Sequence, residues 1–347
     1  MKKLLQLPLF AGLLLLLLCS SALAQRTITD QLERTVTIPD EVNRVVVLQH
    51  QALDVMIQLG AQDKVVGILD KWEKYLPGAA KTMDNIQSLP TPGGLDTVNM
   101  EALLAVRPDL VIVTHYAPKE MIEQISAAGI PVVGLSLFDA ASQEAAKLNP
   151  DLADAQAAYD KGLKDAVLLL GEICAKQTRA ERLMEVVEAN QKVLKSHLGD
   201  IPESERIKCY MARNNLHTYG AGKYTSVIME RAGGVNVVAK EVTGFKEVTM
   251  EDVLRWNPEV VFVQWRHRSA AEGLRNDPAW QQVSAIKNER LYVTPEYVKP
   301  WGHALPESMA LGELWMAKTL YPEKFKDVDL DGMVQSYYKE FYGIAFE

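Results

Sequence analysis

Little in this chain is suited to cross-linking, cutting or clasping a metal. Only three cysteines occur in 347 residues. One of them, Cys19, lies in an apolar leader, and Cys174 and Cys209 fall in what read as different structural units, so no disulfide framework holds the fold, while a single bridge between those two stays open in an oxidising compartment. The six histidines are scattered, and no HExxH, Ser/His/Asp arrangement or cysteine cluster emerges. A catalytic apparatus and a resident metal site are therefore not expected, and no cofactor is assigned. Basic residues are also short, with 37 Lys and Arg against 45 Asp and Glu. That balance disfavours nucleic acid or an anionic membrane surface as partner. Beyond the leader, no apolar run approaches the ~20 residues that cross a bilayer.

The leader itself, MKKLLQLPLFAGLLLLLLCSSALAQ, sets Lys2 and Lys3 before an apolar run and ends in a small-residue site at Ala22 and Ala24. This is the layout of a secretory signal peptide over residues 1–24, cleaved after Ala24. The mature chain is expected to be soluble, to reside in the periplasm and to work as a monomer. Acylation at Cys19 is disfavoured, because Leu18 is too bulky for the small position that normally precedes such a cysteine. Losing Lys2 and Lys3 takes the formal net charge from -8 to about -10.

What is present is an internal duplication. VNMEALLAVRPDLVIV (98–113) matches VTMEDVLRWNPEVVFV (248–263) at Val, Met, Glu, Leu, Pro and two further Val in the same order. Upstream, an apolar helix ending at Gly60 before VVGI corresponds to one ending at Gly233 and Gly234 before NVVA. Short Val/Ile-rich runs alternate with helical patterns in each half, which predicts parallel strands with crossover helices. The stretch Gln177–Leu198 has neither Gly nor Pro and repeats apolar residues at helical spacing. At 1.5 Å per residue it makes a helix of roughly 30 Å, long enough to run along two lobes and resist a wide hinge motion. The fold class is therefore α/β, with two Rossmann-like lobes at 25–175 and 201–347 joined by one long helix at 176–200.

Loops after the carboxyl ends of parallel strands are where open α/β sheets bind ligands. VVVL runs into Gln49, His50 and Gln51 ahead of a helix beginning near Ala52; LVIV runs into Thr114, His115 and Tyr116. In the second half, IKCYM leads to the loop ARNNLHTYGAGKYTS, and VVFV leads to Gln264, Trp265, Arg266 and His267. These four segments should open on one cleft. Gly220 and Gly222 precede a helix starting near Tyr224, where free N–H groups would suit an anion; an ordinary helix-entry turn explains the same glycines. Tyr224 and His217 stand where a nucleotide-binding phosphate loop needs Ser/Thr and Gly, so that reading fails. His50 reads as an oxyanion or metal contact, or as a histidine bonded within its own turn. Arg266 is costly to desolvate unless it meets an anion, which places it in the cleft. Tyr297 and Trp301, in EYVKPWGHALPE, would form an aromatic wall or cap the core. Glu101 and Glu251 sit at equivalent repeat positions, two residues after the N-caps Asn99 and Thr249. A carboxylate there favours the helix dipole, yet the duplication also sets one acid on each lobe for docking onto paired basic groups.

The leader, the duplicated lobes, the joining helix and the MExxLxxxPxxVxV repeats together resemble the periplasmic binding proteins of ABC importers for iron–siderophore, haem, cobalamin and related metal compounds. RTITDQLERTVTIPDEVNRVVVL and TSVIMERAGGVNVVA are further similar strings. The resemblance implies that Glu101 and Glu251 dock on arginines of the permease. VVVLQHQ, LHTYGAGKYT, TPEYVKPWG and DVDLDGMVQSYYKEFY resemble a molybdate- and tungstate-binding subgroup. That implies an oxyanion held at His50, Tyr219, Arg266 and Tyr297, with Gln51 and Gly222 beside them; an iron chelate is the alternative ligand. A periplasmic enzyme or metal chaperone is the alternative of another class, and would need a nucleophile–base pair or clustered metal ligands.

Overall fold

The computed structural model describes residues 24–213 and 215–347, so the leader and Cys19 lie outside the described residues. A two-stranded hairpin opens the fold, β1 (Gln25–Thr29) antiparallel to β2 (Thr35–Pro39). Their alternating burial is that of a ribbon with one face on the protein and one in water. β3 (Val45–Val47), β4 (Val65–Ile68), β5 (Leu110–Thr114) and β6 (Val132–Leu135) then form an all-parallel sheet in the order β4-β3-β5-β6. These strands are buried on both faces, which is why they read as unbroken Val/Ile/Leu runs.

The second half repeats this plan. β7 (Ile207–Ala212) leads through a short β8 (His217–Tyr219) to β9 (Gly234–Asn236), β10 (Phe245–Glu247), β11 (Val260–Val263) and β12 (Leu291–Val293). The parallel sheet runs β9-β7-β11-β12, the same order as its counterpart; β8 and β10 form a separate antiparallel pair. The duplication extends to helix ends: Gly60 and Gly233, each just past its helix, take φ of +64° and +84°, a conformation that glycine reaches without Cβ strain.

A helix at Ala155–Ile173 and the connecting helix Gln177–Leu198 pack side by side between the halves. The connecting helix has the bounds expected from its periodicity, buries Leu183, Met184, Val187, Leu194 and Leu198, and stops at Gly199. The preceding helix also reaches the second half. Tyr159 donates to the carbonyls of Gly222 (3.1 Å) and Gly302 (2.9 Å), and Asp160 pairs with Arg231 at 2.7 Å. Cys174 and Cys209 are both free and buried. Among the described residues no helix is long and apolar enough to cross a membrane.

Candidate functional site

Every residue of the helix His50–Gln58 is buried. Most are apolar, but His50, Asp54 and Gln58 recur at four-residue spacing and so share one face. That face meets the second half of the chain rung by rung. The His50 ring lies 5.6 Å from Trp301, Asp54 pairs with Lys299 at 2.7 Å, and Gln58 donates to Glu307 at 2.7 Å. Lys299 also pairs with Glu307, while Tyr342 and Tyr337 donate to Asp54 and Gln58. Two carboxylates share one lysine in a dry interface. Burial and the neighbouring Glu307 therefore push Asp54 up to about 8, whereas Lys299 holds Glu307 below its ordinary value.

His50 departs from expectation in one respect: it is the first residue of the helix, not part of a loop ending near Ala52. Gln49, in extended backbone, supplies the turn and donates to the Leu135 carbonyl at 3.1 Å. The His50 ring stacks on Tyr75 at 4.7 Å. Across from it, Arg266 bonds Gln264 Oε1 (2.8 Å), reaches the Tyr219 hydroxyl (3.4 Å) and lies over the Trp301 ring at 4.7 Å. Among the described residues Arg266 has no carboxylate partner. Tyr219 belongs to strand β8 rather than to a loop, which fixes its ring direction.

Two more histidines extend the cluster. His115, just after β5, is edge-on to His303 at 5.0 Å, and both pack on Phe138. His50 Nδ1, His115 Nε2 and His303 Nδ1 are all buried without a hydrogen-bond partner. Burial, reinforced by Arg266 at His50 and Lys223 at His115, pushes both rings down to about 3; burial likewise drives His303 well below its ordinary value. The rings are neutral imidazoles at neutral pH. They do not converge on a cation, since among the described residues no group of three or more His, Cys, Asp or Glu is placed to hold a metal.

The remaining expected residues divide. Gln51 is buried next to His50. Gly222 serves the backbone: it has a φ of +76°, and a Cβ there would sit 2.8 Å from the Pro150 carbonyl of the first half. Tyr297 does not join the cluster; it is buried edge-on against Phe346 at 5.3 Å, an aromatic packing role in the C-terminal segment. Glu101 and Glu251 are exposed in the first turns of two equivalent helices, after the side-chain caps Asn99 and Thr249. His303 and Lys223 were not singled out from the sequence. Arg266 and Trp301 also line a cavity of about 60 Å³ with Asp54, Lys299 and Tyr342, but the histidines do not border it. The histidine-lined cluster, with its unpartnered nitrogens, is the stronger ligand site, because buried polar atoms are normally satisfied.

A family model described as "Periplasmic binding protein" matches residues 45–298. The chain is 47% identical over 328 residues to the molybdate-binding protein MolA of Haemophilus influenzae, covering 94% of this chain and 93% of that one. A solved structure of MolA from the same organism bound to molybdate superposes with a TM-score of 0.91 at 46% identity, over 93% of this chain and 99% of that chain. The Vibrio cholerae vitamin B12-binding protein is 23% identical, over 73% of this chain and 81% of its own. Helicobacter pylori CeuE shares the fold, with a TM-score of 0.71 at 21% identity over 92% of this chain and 96% of that one.

Proposed function

The chain belongs to the periplasmic binding protein family, and from that premise we propose that it captures a tetrahedral metal oxyanion, molybdate or tungstate, between its lobes. It is a transport-binding protein, not an enzyme, and its partner is the permease of an ABC importer. The observation that carries the oxyanion reading is the set of three buried, unpartnered imidazole nitrogens, of which His50 shares the Trp301 ring with Arg266, itself in reach of the Tyr219 hydroxyl. Anions of this kind are held by charge-assisted and neutral hydrogen bonds in a site from which water is excluded. The lobes, taken as 25–175 and 201–347 with 176–200 between them, would part enough to admit the ion and close over it. Glu101 and Glu251 would then meet basic groups of the permease. Export through residues 1–24 completes this reading.

Isothermal titration of the chain beginning at Gln25 tests it. Molybdate and tungstate should each bind one per protein, while a ferric siderophore, haem and cobalamin should not. Binding of one of those chelates in place of the oxyanions would overturn the reading.

A further inference from the structure

Lys223 immediately precedes the helix Tyr224–Arg231 and is buried, with 3% of its surface exposed. Buried lysines are ordinarily paired with a carboxylate. Among the described residues this one has no ion pair; its ammonium donates only to the Leu148 carbonyl of the first half. Its stem passes within 3.7 Å of where a Cβ on Gly302 would stand, and the Tyr219 ring within 3.8 Å of the same point, so lysine and tyrosine flank one glycine. His303 follows that glycine. Burial above all, with the charge of Lys223 adding to it, depresses both His115 and His303, whose free nitrogens have no partner. The other titratable groups around it are Tyr159 and Tyr219, with the pair of exposed Lys147 and half-buried Glu144 on the adjoining loop. No acid faces it.

We propose that Lys223 is the second cation of the ligand site: with Arg266 it supplies two positive charges for a dianion, and so selects doubly over singly charged tetrahedral oxyanions. The inference rests on the oxyanion reading above and assigns its charge selectivity. Two cations that form no ion pair among the described residues leave the empty site electrostatically unbalanced, and a dianion restores the balance where a monoanion leaves one charge uncompensated. Burial also pushes Lys223 down to about 8, so above that pH the empty site begins to lose its second charge. A bound dianion raises the lysine again. Binding is therefore coupled to proton uptake as pH rises past 8, and affinity falls there.

Calorimetry at pH 7 with molybdate and with perrhenate, a tetrahedral monoanion, separates charge selection from general packing. The wild type should bind perrhenate at least about tenfold more weakly than molybdate. Lys223→Met, which keeps the apolar stem, should lose roughly tenfold to a hundredfold in molybdate affinity and less than about threefold in perrhenate affinity. Lys223→Arg should keep the wild-type ratio. Between pH 7.5 and 9.5, molybdate affinity should fall for the wild type and stay level for Lys223→Met. Equal losses for both anions would make Lys223 a tie between the halves and overturn the assignment, as would undiminished molybdate binding. A wild-type protein that binds neither anion would instead overturn the oxyanion reading itself.

Discussion

Arg266 gives up much of its hydration at the cleft and receives in return only Gln264, a tyrosine hydroxyl and the face of Trp301. Its guanidinium is thus free to spend its hydrogen bonds on a ligand. Arg266→Ala should weaken molybdate binding by about tenfold to a hundredfold, since each charge-assisted bond contributes about 1.5–3 kcal/mol. Thermal unfolding of the empty protein should barely shift, and the pair of measurements distinguishes ligand contact from structural support. The histidines make a second residue-level prediction. His50 and His115 titrate near 6.5 when unfolded but are pushed down to about 3 when buried. Their contribution to stability is complete above about pH 6.5 and is lost as pH falls toward 3. Each such ring costs about 1.4 kcal/mol per pH unit inside that window. Unfolding scans from pH 7.5 to 4 should show the decline, and His115→Gln should make it shallower. At this scale the sequence was partly legible. His50, Tyr219 and Arg266 were visible because chemistry at strand ends is a general feature of open sheets. His303 and Lys223 were not, because their role arises from Gly302 bringing two distant segments together.

The helix His50–Gln58 is legible only in retrospect. His50, Asp54 and Gln58 at four-residue spacing mark one polar face in a helix whose other residues are apolar apart from Gln51, and a start near Ala52 leaves out the first rung of that stripe. Its middle rung makes a strong demand on the fold. Removing Lys299 leaves Asp54 and Glu307 buried with no cation between them. Lys299→Met should therefore destabilise the protein by about 3–5 kcal/mol at pH 7, measured by urea unfolding. Asp54 already titrates above its unfolded value and Glu307 would join it, so the deficit should shrink as pH is lowered and they take up protons. The helices carrying Glu101 and Glu251 were read more faithfully. Asn99 accepts from the Ala102 N–H, and Thr249 forms a full capping box with Asp252, both local signals that need no tertiary knowledge.

At the scale of the whole molecule, the duplicated strings translated directly into two parallel sheets of identical strand order, because buried strands and their crossovers impose composition as well as spacing. The long helix was equally plain. Less visible was its neighbour, Ala155–Ile173, whose Tyr159 and Asp160 tie the first half to the second and whose role depends on contacts across the chain. The two exposed acids make a prediction that belongs to the assembled system. Charge reversal at both Glu101 and Glu251 should leave molybdate affinity unchanged and abolish uptake through the cognate permease; wild-type uptake by that double variant would remove the docking role. Because the motif at Asn99 and the motif at Thr249 are near-copies, any partner with two-fold symmetry meets almost the same face after a half-turn. If Glu101 and Glu251 are the docking acids, two docked orientations would then compete. The flanking differences would split them, among them Ala102 against Asp252, Ala105 against Arg255, Val106 against Trp256, and an exposed Leu104 against a half-buried Leu254.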